Sequence, residues 1–113
     1  MTKLYLRVDF GDRGAVGPGK ARLLELIASE GSIAGAGRAM GMSYRRAWEL
    51  VDELNRCFGR PVVTTQMGGQ RGGGAVLTAL GRSVLDHYRA IEGEAQRAAA
   101  RHLRALRAAA RAP

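Results

Sequence analysis

The chain has 113 residues, enough for one domain with a core that needs no disulfide or metal to hold it. Hydrophobic residues make up 46%, which excludes a disordered chain, and no apolar run approaches the roughly 20 residues of a membrane span. Eighteen Lys and Arg against ten Asp and Glu give a net charge of +8, and only Lys3 and Lys20 are lysines, so the excess is carried by arginine. The forked guanidinium suits phosphates and guanine edges, so the charge points towards nucleic acid. An acidic membrane surface is the competing polyanion, and a GC-rich genome is the bland source of arginine, alanine and glycine. Position along the chain has to separate these.

Met1 leads into alternating polar and apolar residues and not into a signal-peptide pattern. Leu4, Leu6, Val8 and Phe10 alternate with Tyr5, Arg7 and Asp9, which predicts a half-buried strand. Four glycines and a proline between Gly11 and Gly19 predict a turn, with a short return strand around Ala15-Val16. Leu23, Leu24, Leu26 and Ile27 fit one face of a helix over Lys20 to Ser29 that Gly31 ends. Ser32 is an N-cap for a second helix through Ile33, Ala36 and Met40, stopped at Gly41, whose small residues allow another helix to come close. Ser43 caps a third, with an apolar stripe of Ala47, Leu50, Val51, Leu54 and Phe58, ended at Gly59-Arg60-Pro61. Two short helices about Gly41-Met42 describe a helix-turn-helix.

Val62 to Gln66 is a β-branched run, and Ala75-Val76-Leu77 returns after five glycines in the seven positions 68–74. This predicts a hairpin with a pliable basic tip, a wing. Thr78 caps a long helix from Ala79 towards Arg111, with a loose heptad through Val84, Tyr88, Ile91, Ala95, Ala98 and His102. The expected fold is mainly α with a small β component. A winged helix-turn-helix spans residues 1–78 (N-terminal strand or hairpin 3–17, helix-turn-helix 32–58, wing 62–77). A long C-terminal helix with a basic tail, residues 79–113, serves dimerisation through Leu85, Tyr88, Ile91, Leu103 and Leu106.

On the third helix, Arg45, Glu49, Asp52 and Arg56 lie opposite the apolar stripe, with Tyr44 and Trp48 on one shoulder. Arg45 and Arg46 sit in the first turn, where the macrodipole disfavours cations, and the acids Glu49, Asp52 and Glu53 come later. A DNA phosphate docked there would relieve the conflict, and the plainer alternative is that both arginines are merely solvated, with Arg45 loosely paired to Glu49. The candidate DNA surface is therefore Ser43, Tyr44, Arg45, Arg46, Trp48 and Glu49 on the helix, with Gln70 and Arg71 on the wing. Trp48 also fits packing on the shoulder of the core. The arginines Arg97, Arg101, Arg104, Arg107 and Arg111, with no acid after Glu94, form a basic stripe suited to phosphates, an acidic partner or plain solvation. His87 and His102 are fifteen residues apart and Cys57 is alone, so no metal site and no catalytic constellation is expected, and the chain is not read as an enzyme. The single cysteine excludes an internal disulfide and fits a reducing cytoplasm.

The segments Gly31-Ser32-Ile33, Gly41-Met42-Ser43-Tyr44-Arg45-Arg46-Ala47-Trp48 and Val51-Asp52-Glu53-Leu54-Asn55 resemble the ModE-type molybdate-responsive regulators. So does the wing, Gly68-Gly69-Gln70-Arg71-Gly72-Gly73-Gly74-Ala75-Val76-Leu77-Thr78, running into a Leu-Thr-x-x-Gly helix start at Leu77, Thr78 and Gly81. LysR-type regulators share the general layout. The resemblance covers residues 20 to 95 and implies a dimeric transcription factor on double-stranded DNA, with Ser43, Tyr44, Arg45 and Arg46 reading the major groove. Full-length members bind molybdate in C-terminal β-barrel domains. This chain reaches Pro113 without such strands, so it is expected to be a single-domain form with no cofactor, molybdate or another oxyanion entering only as an effector. The competing functions are a non-specific architectural nucleic-acid binder and a small oxyanion-binding protein on the same fold.

Overall fold

A computed structural model describes residues 2–66 and 73–111. Strand β1 (Val8–Asp9) pairs antiparallel with β2 (Ala15–Val16) in the register Val8↔Val16 and Asp9↔Ala15, around a 3-10 turn at Gly11–Arg13. The return strand stands where the sequence places it, but the first strand is shorter than Leu4 to Phe10. Only two residues find a partner, because the chain leaves β2 at once for helix α1 (Pro18–Glu30). Leu4 and Leu6 keep their alternating half-burial without a ladder, and the Tyr88 hydroxyl donates to Leu6 O at 2.6 Å.

Helix α1 begins two residues before Lys20, with Pro18 in its first turn, where a missing N–H is harmless. Gly31 ends it at φ +75, a conformation costly for a Cβ-bearing residue. Helix α2 (Ile33–Ala39) and helix α3 (Tyr44–Phe58) carry the expected caps. Ser32 Oγ accepts from Gly35 N at 2.9 Å, and Ser43 Oγ accepts from Arg46 N at 3.0 Å. A Cβ at Gly37 would stand 3.2 Å from the Ala47 Cβ, so small residues on both sides set how closely α2 and α3 cross.

Strands β3 (Val63–Gln66) and β4 (Gly74–Leu77) pair antiparallel from Val63↔Leu77 to Gln66↔Gly74. Ala75 N donates to Gly31 O at 2.8 Å, fastening the hairpin to the end of α1. Helix α4 (Ala79–Ala110) starts under the Thr78 cap and lies so close to the hairpin that a Cβ on Gly81 would fall 2.0 Å from Val62 O. The core gathers Leu23, Leu24, Ile27, Val51, Leu54 and Val62, with Leu85 and Tyr88 entering from α4. The fold is a winged helix-turn-helix, mainly α with a small β component.

One ion cluster ties α4 to α1. Arg89 grips Glu25 with both arms of its fork, Nε to Oε2 at 2.9 Å and Nη2 to Oε1 at 2.8 Å, and also bonds Glu92. The hydrogen bonds from Arg89 hold the Glu25 carboxyl below its ordinary pKa against a smaller opposing effect of burial, and the same bonds push Arg89 up. Burial raises the Tyr88 hydroxyl, with Glu92 adding to it.

Candidate nucleic-acid interface

The surface around the start of α3 is built by local rules. Gly41, at φ +70, turns the chain between the two short helices, and Met42 N returns to Gly37 O at 2.9 Å. Ser43 then holds the first turn of α3 open to solvent. Tyr44 is 58% exposed and meets Trp48 edge-on, with ring centroids 6.4 Å apart. Trp48 is itself 36% exposed, at the margin between core and surface.

Arg45 is the most open of the three cations of α3, its side chain 90% exposed and its Nε 3.6 Å from Glu49 Oε2. Arg46 leans to the other side, Nη1 lying 3.2 Å from Glu49 Oε1 and 3.7 Å from Glu53 Oε2. Lys20 of α1 reaches the same Glu53 at 3.1 Å. The first turn of α3 holds no acid, as the sequence says, yet Glu49 and Glu53 fold back on the two arginines from the next turns. The conflict with the helix dipole is thus partly settled inside the helix. A phosphate at this place would exchange partners with Glu49, and such exposed pairs hold by about 0.3–0.5 kcal/mol each.

Between α3 and the hairpin runs a cleft of about 880 Å³. Tyr44 and Trp48 line one side, Thr65 and Gln66 the other, and Ser32 and Arg38 close its end on α2. Arg38, Thr65 and Gln66 are additions to the candidate surface. Arg38 was legible, being the one charged residue of α2, whereas the hairpin residues depend on a pairing register that no local pattern marks. Gln70 and Arg71 lie outside the described residues.

The five residues assigned to a dimer seam do not share one surface. Leu85 and Tyr88 are buried inside the chain at 4% and 2% exposure, with no area left for a partner. Helical spacing groups them with Ile91 only because a heptad does not say which neighbour covers it. Ile91 and Leu106 are exposed at 44% and 67%, and Leu103 is half-buried.

Cys57 is buried, with its side chain where a Cβ on Gly14 would touch it, and His87 and His102 are both exposed. Among the described residues no group of three or more His, Cys, Asp or Glu is arranged to hold a metal, and no helix is long and apolar enough to cross a membrane.

No protein-family profile matches the chain. It is 44% identical over 78 residues to the molybdenum-pterin-binding protein MopA of Rhodobacter capsulatus, covering 69% of this chain and 29% of that protein. It is 39% identical over 98 residues to the molybdenum transport protein ModE of Azotobacter vinelandii, covering 87% and 36%. The DNA-binding transcriptional dual regulator ModE of Escherichia coli K12 is 38% identical over 71 residues, covering 63% and 27%. The chain therefore spans about a third of the length of the curated relatives it matches. Among solved structures, that of the CbnR DNA-binding domain in complex with DNA superposes with a TM-score of 0.58 at 26% identity, covering 82% of this chain and 97% of that one.

Proposed function

We propose that this chain, which carries a winged helix-turn-helix of the ModE type, is a sequence-specific DNA-binding regulator of transcription. In this reading it acts in the cytoplasm on operator DNA as a homodimer. The observation that carries the proposal is the opening of Tyr44 at the start of α3 onto the cleft bounded by the hairpin, with the Arg45 side chain next to it in sequence standing free in solvent. In a winged helix-turn-helix this is where side chains reach base edges. The relatives' names and the DNA complex of the similar structure support the same reading, and both speak against an enzyme.

Ser43, Tyr44 and Arg45 read the major groove, and Arg46 takes a flanking phosphate. Glu49 holds both arginines until DNA arrives, Trp48 fixes the Tyr44 ring, and Gln70 and Arg71 follow the neighbouring groove from the wing. Two copies place two such heads on two half-sites.

The test is recovery of bound DNA across the genome, then titration of the purified chain against the recovered operator and a scrambled duplex at several salt concentrations. A preference of about a thousandfold or more is expected. Equal affinity for both, with most of it lost on truncation after Glu94, would instead make the chain an architectural binder held by its basic helix end. A second reading, oxyanion binding, draws on MopA, the relative named for binding molybdenum-pterin. Calorimetry with molybdate, tungstate and sulfate decides it: heat specific to molybdate and tungstate supports it, and none removes it.

A further inference from the structure

The exposed face of α3 carries an acid where a polyanion would dock. Glu49 lies one turn beyond Arg45, opposite the apolar stripe, with its side chain 48% exposed. Its Oε2 stands 3.6 Å from Arg45 Nε and its Oε1 3.2 Å from Arg46 Nη1. The other acids of α3 are placed differently. Asp52 sits about a turn further from the head of the helix and pairs with Arg56, and Glu53 is tied to Lys20 of α1.

A duplex that engages the two arginines leaves Glu49 at the interface with two acceptor oxygens to satisfy. Backbone phosphates repel it. The major groove offers it two donors, the N4 amino group of cytosine and the N6 amino group of adenine, whereas guanine and thymine present acceptors there. Adenine also sets its N7 acceptor beside the amino group, against the second carboxylate oxygen, and cytosine does not. A carboxylate pressed on thymine or guanine would keep an unpaired charge in a desolvated interface, which is the costly outcome. Such a group selects by what it rejects as well as by what it accepts.

The neighbour supplies the complementary half of the pattern. The open fork of Arg45 matches O6 and N7 of guanine. Four residues of helix advance about 6 Å and base pairs repeat about every 3.4 Å, so the two side chains reach bases no more than about two steps apart. We infer that Glu49 is a specificity-determining residue, its carboxylate accepting from the N4 amino group of a cytosine within two base pairs of a guanine taken by Arg45. The inference rests on the DNA-binding reading above and names bases which that reading leaves open. Arg45 keeps an opposite charge beside the carboxylate, so the pair enters the groove together with no net charge.

The test is a base-pair scan of the recovered operator with the full chain. Each position is changed to all four pairs, and the parent, Glu49→Gln and Asp52→Asn are titrated against every duplex at one salt concentration. The parent should show a position where cytosine exceeds thymine and guanine by at least about tenfold, with a guanine preference within two pairs of it. Glutamine matches N6 and N7 of adenine, so Glu49→Gln should move the preference at that one position from cytosine to adenine. Asp52→Asn should move none. Loss of a negative charge tightens binding to every duplex, so the ratio between duplexes, and not the affinity, is the readout.

A Glu49→Gln protein that binds all duplexes more tightly with unchanged ratios would overturn the proposal and leave Glu49 as a tether for two arginines. So would a parent that does not prefer cytosine at the position Glu49→Gln alters. Glu49→Ala, expected to flatten that position, takes its place if Glu49→Gln does not fold. The two readings fail differently. A parent that binds operator and scrambled DNA equally removes the regulator and this inference with it, whereas a selective parent whose preferences survive Glu49→Gln removes this inference alone.

Discussion

The two halves of α4 are one helix under one cap, yet different forces hold them. The first half contributes Gly81, Leu85 and Tyr88 to the core and ends at the Arg89–Glu25 clasp. The second half buries none of its residues within the chain. Half of residues 95–110 are alanine, and most of the rest are arginine and leucine, all strong helix formers. A free helix of that length is marginal in water, but here the anchored half supplies the nucleus and leaves only propagation. Tertiary packing fixes the first half and local propensity continues the second, so a mutation costs far more stability before Glu94 than on the arm after it.

The largest effect belongs at the tightest point of the anchored half. Gly81→Ala puts a methyl 2.0 Å from the Val62 carbonyl, a backbone atom that cannot swing aside. The expected cost is more than about 4 kcal/mol, enough to unfold a domain of ordinary stability. A melt within a degree of the parent's would mean that α4 is not seated on the hairpin as described. Leu85→Ala should follow at about 2–5 kcal/mol, the range for a buried leucine that leaves a cavity. Its counterpart on the arm is Leu106→Ala, expected to change the monomer's stability by no more than about 0.5 kcal/mol. Urea melts of the pair at low protein concentration would erase the contrast if both cost the same.

The contrast also shows what was legible in the sequence. Ser32, Ser43 and Thr78 as caps, Gly31 and Gly59 as terminators and Ala15-Val16 as a return strand were all readable, because each is a local requirement of the backbone. Gly81 was readable as part of a motif, but its cause, the Val62 carbonyl, lies across the fold. Tyr88 was placed on a dimer seam because it sits at a heptad position. The contact that buries it, with Leu6, joins residues 82 apart in sequence. At the candidate site, Arg45 and Arg46 were readable as exposed cations. The Arg45–Glu49 pair follows from its four-residue spacing, whereas the reach of Arg46 to Glu53 spans two turns and is not marked by position along the helix axis.

Arginines in the two regions should differ as the two halves of α4 do. Arg45 and Arg46 of α3 have acids within reach on the following turns, and the arginines of the arm have no acid after Glu94. Arg45→Ala should therefore cost about 1–3 kcal/mol on the best operator and relax sequence preference. Arg46→Ala should weaken all duplexes evenly and lower the salt slope by roughly 0.9, the mark of one lost phosphate contact. Titration against operator and scrambled DNA separates them. An unchanged operator-to-scrambled ratio for a folded Arg45→Ala protein would move the reading head elsewhere.

An effect smaller than those at Gly81 and Leu85 marks the boundary between the halves, at the last tie before the arm begins. Glu25→Gln keeps the size of the side chain and removes the charge that Arg89 grips with both arms of its fork. Both side chains are about one-third exposed, at 33% and 34%, so solvent screens the pair and the expected loss at neutral pH is only about 1 kcal/mol. The pH dependence carries the sign. Arg89 holds the folded Glu25 below the ordinary glutamate pKa, so the unfolded chain takes up the proton first as the solution is acidified. The clasp's contribution is complete above the unfolded value, near 4.3, and is lost as pH falls through the lower folded value. The gap between parent and Glu25→Gln should accordingly be full at pH 7 and shrink steadily on acidification below that value. A gap that stays constant down to the lowest pH at which the parent folds would trace the loss to packing and not to charge, and α4 would then be anchored by its packing at Gly81, Leu85 and Tyr88.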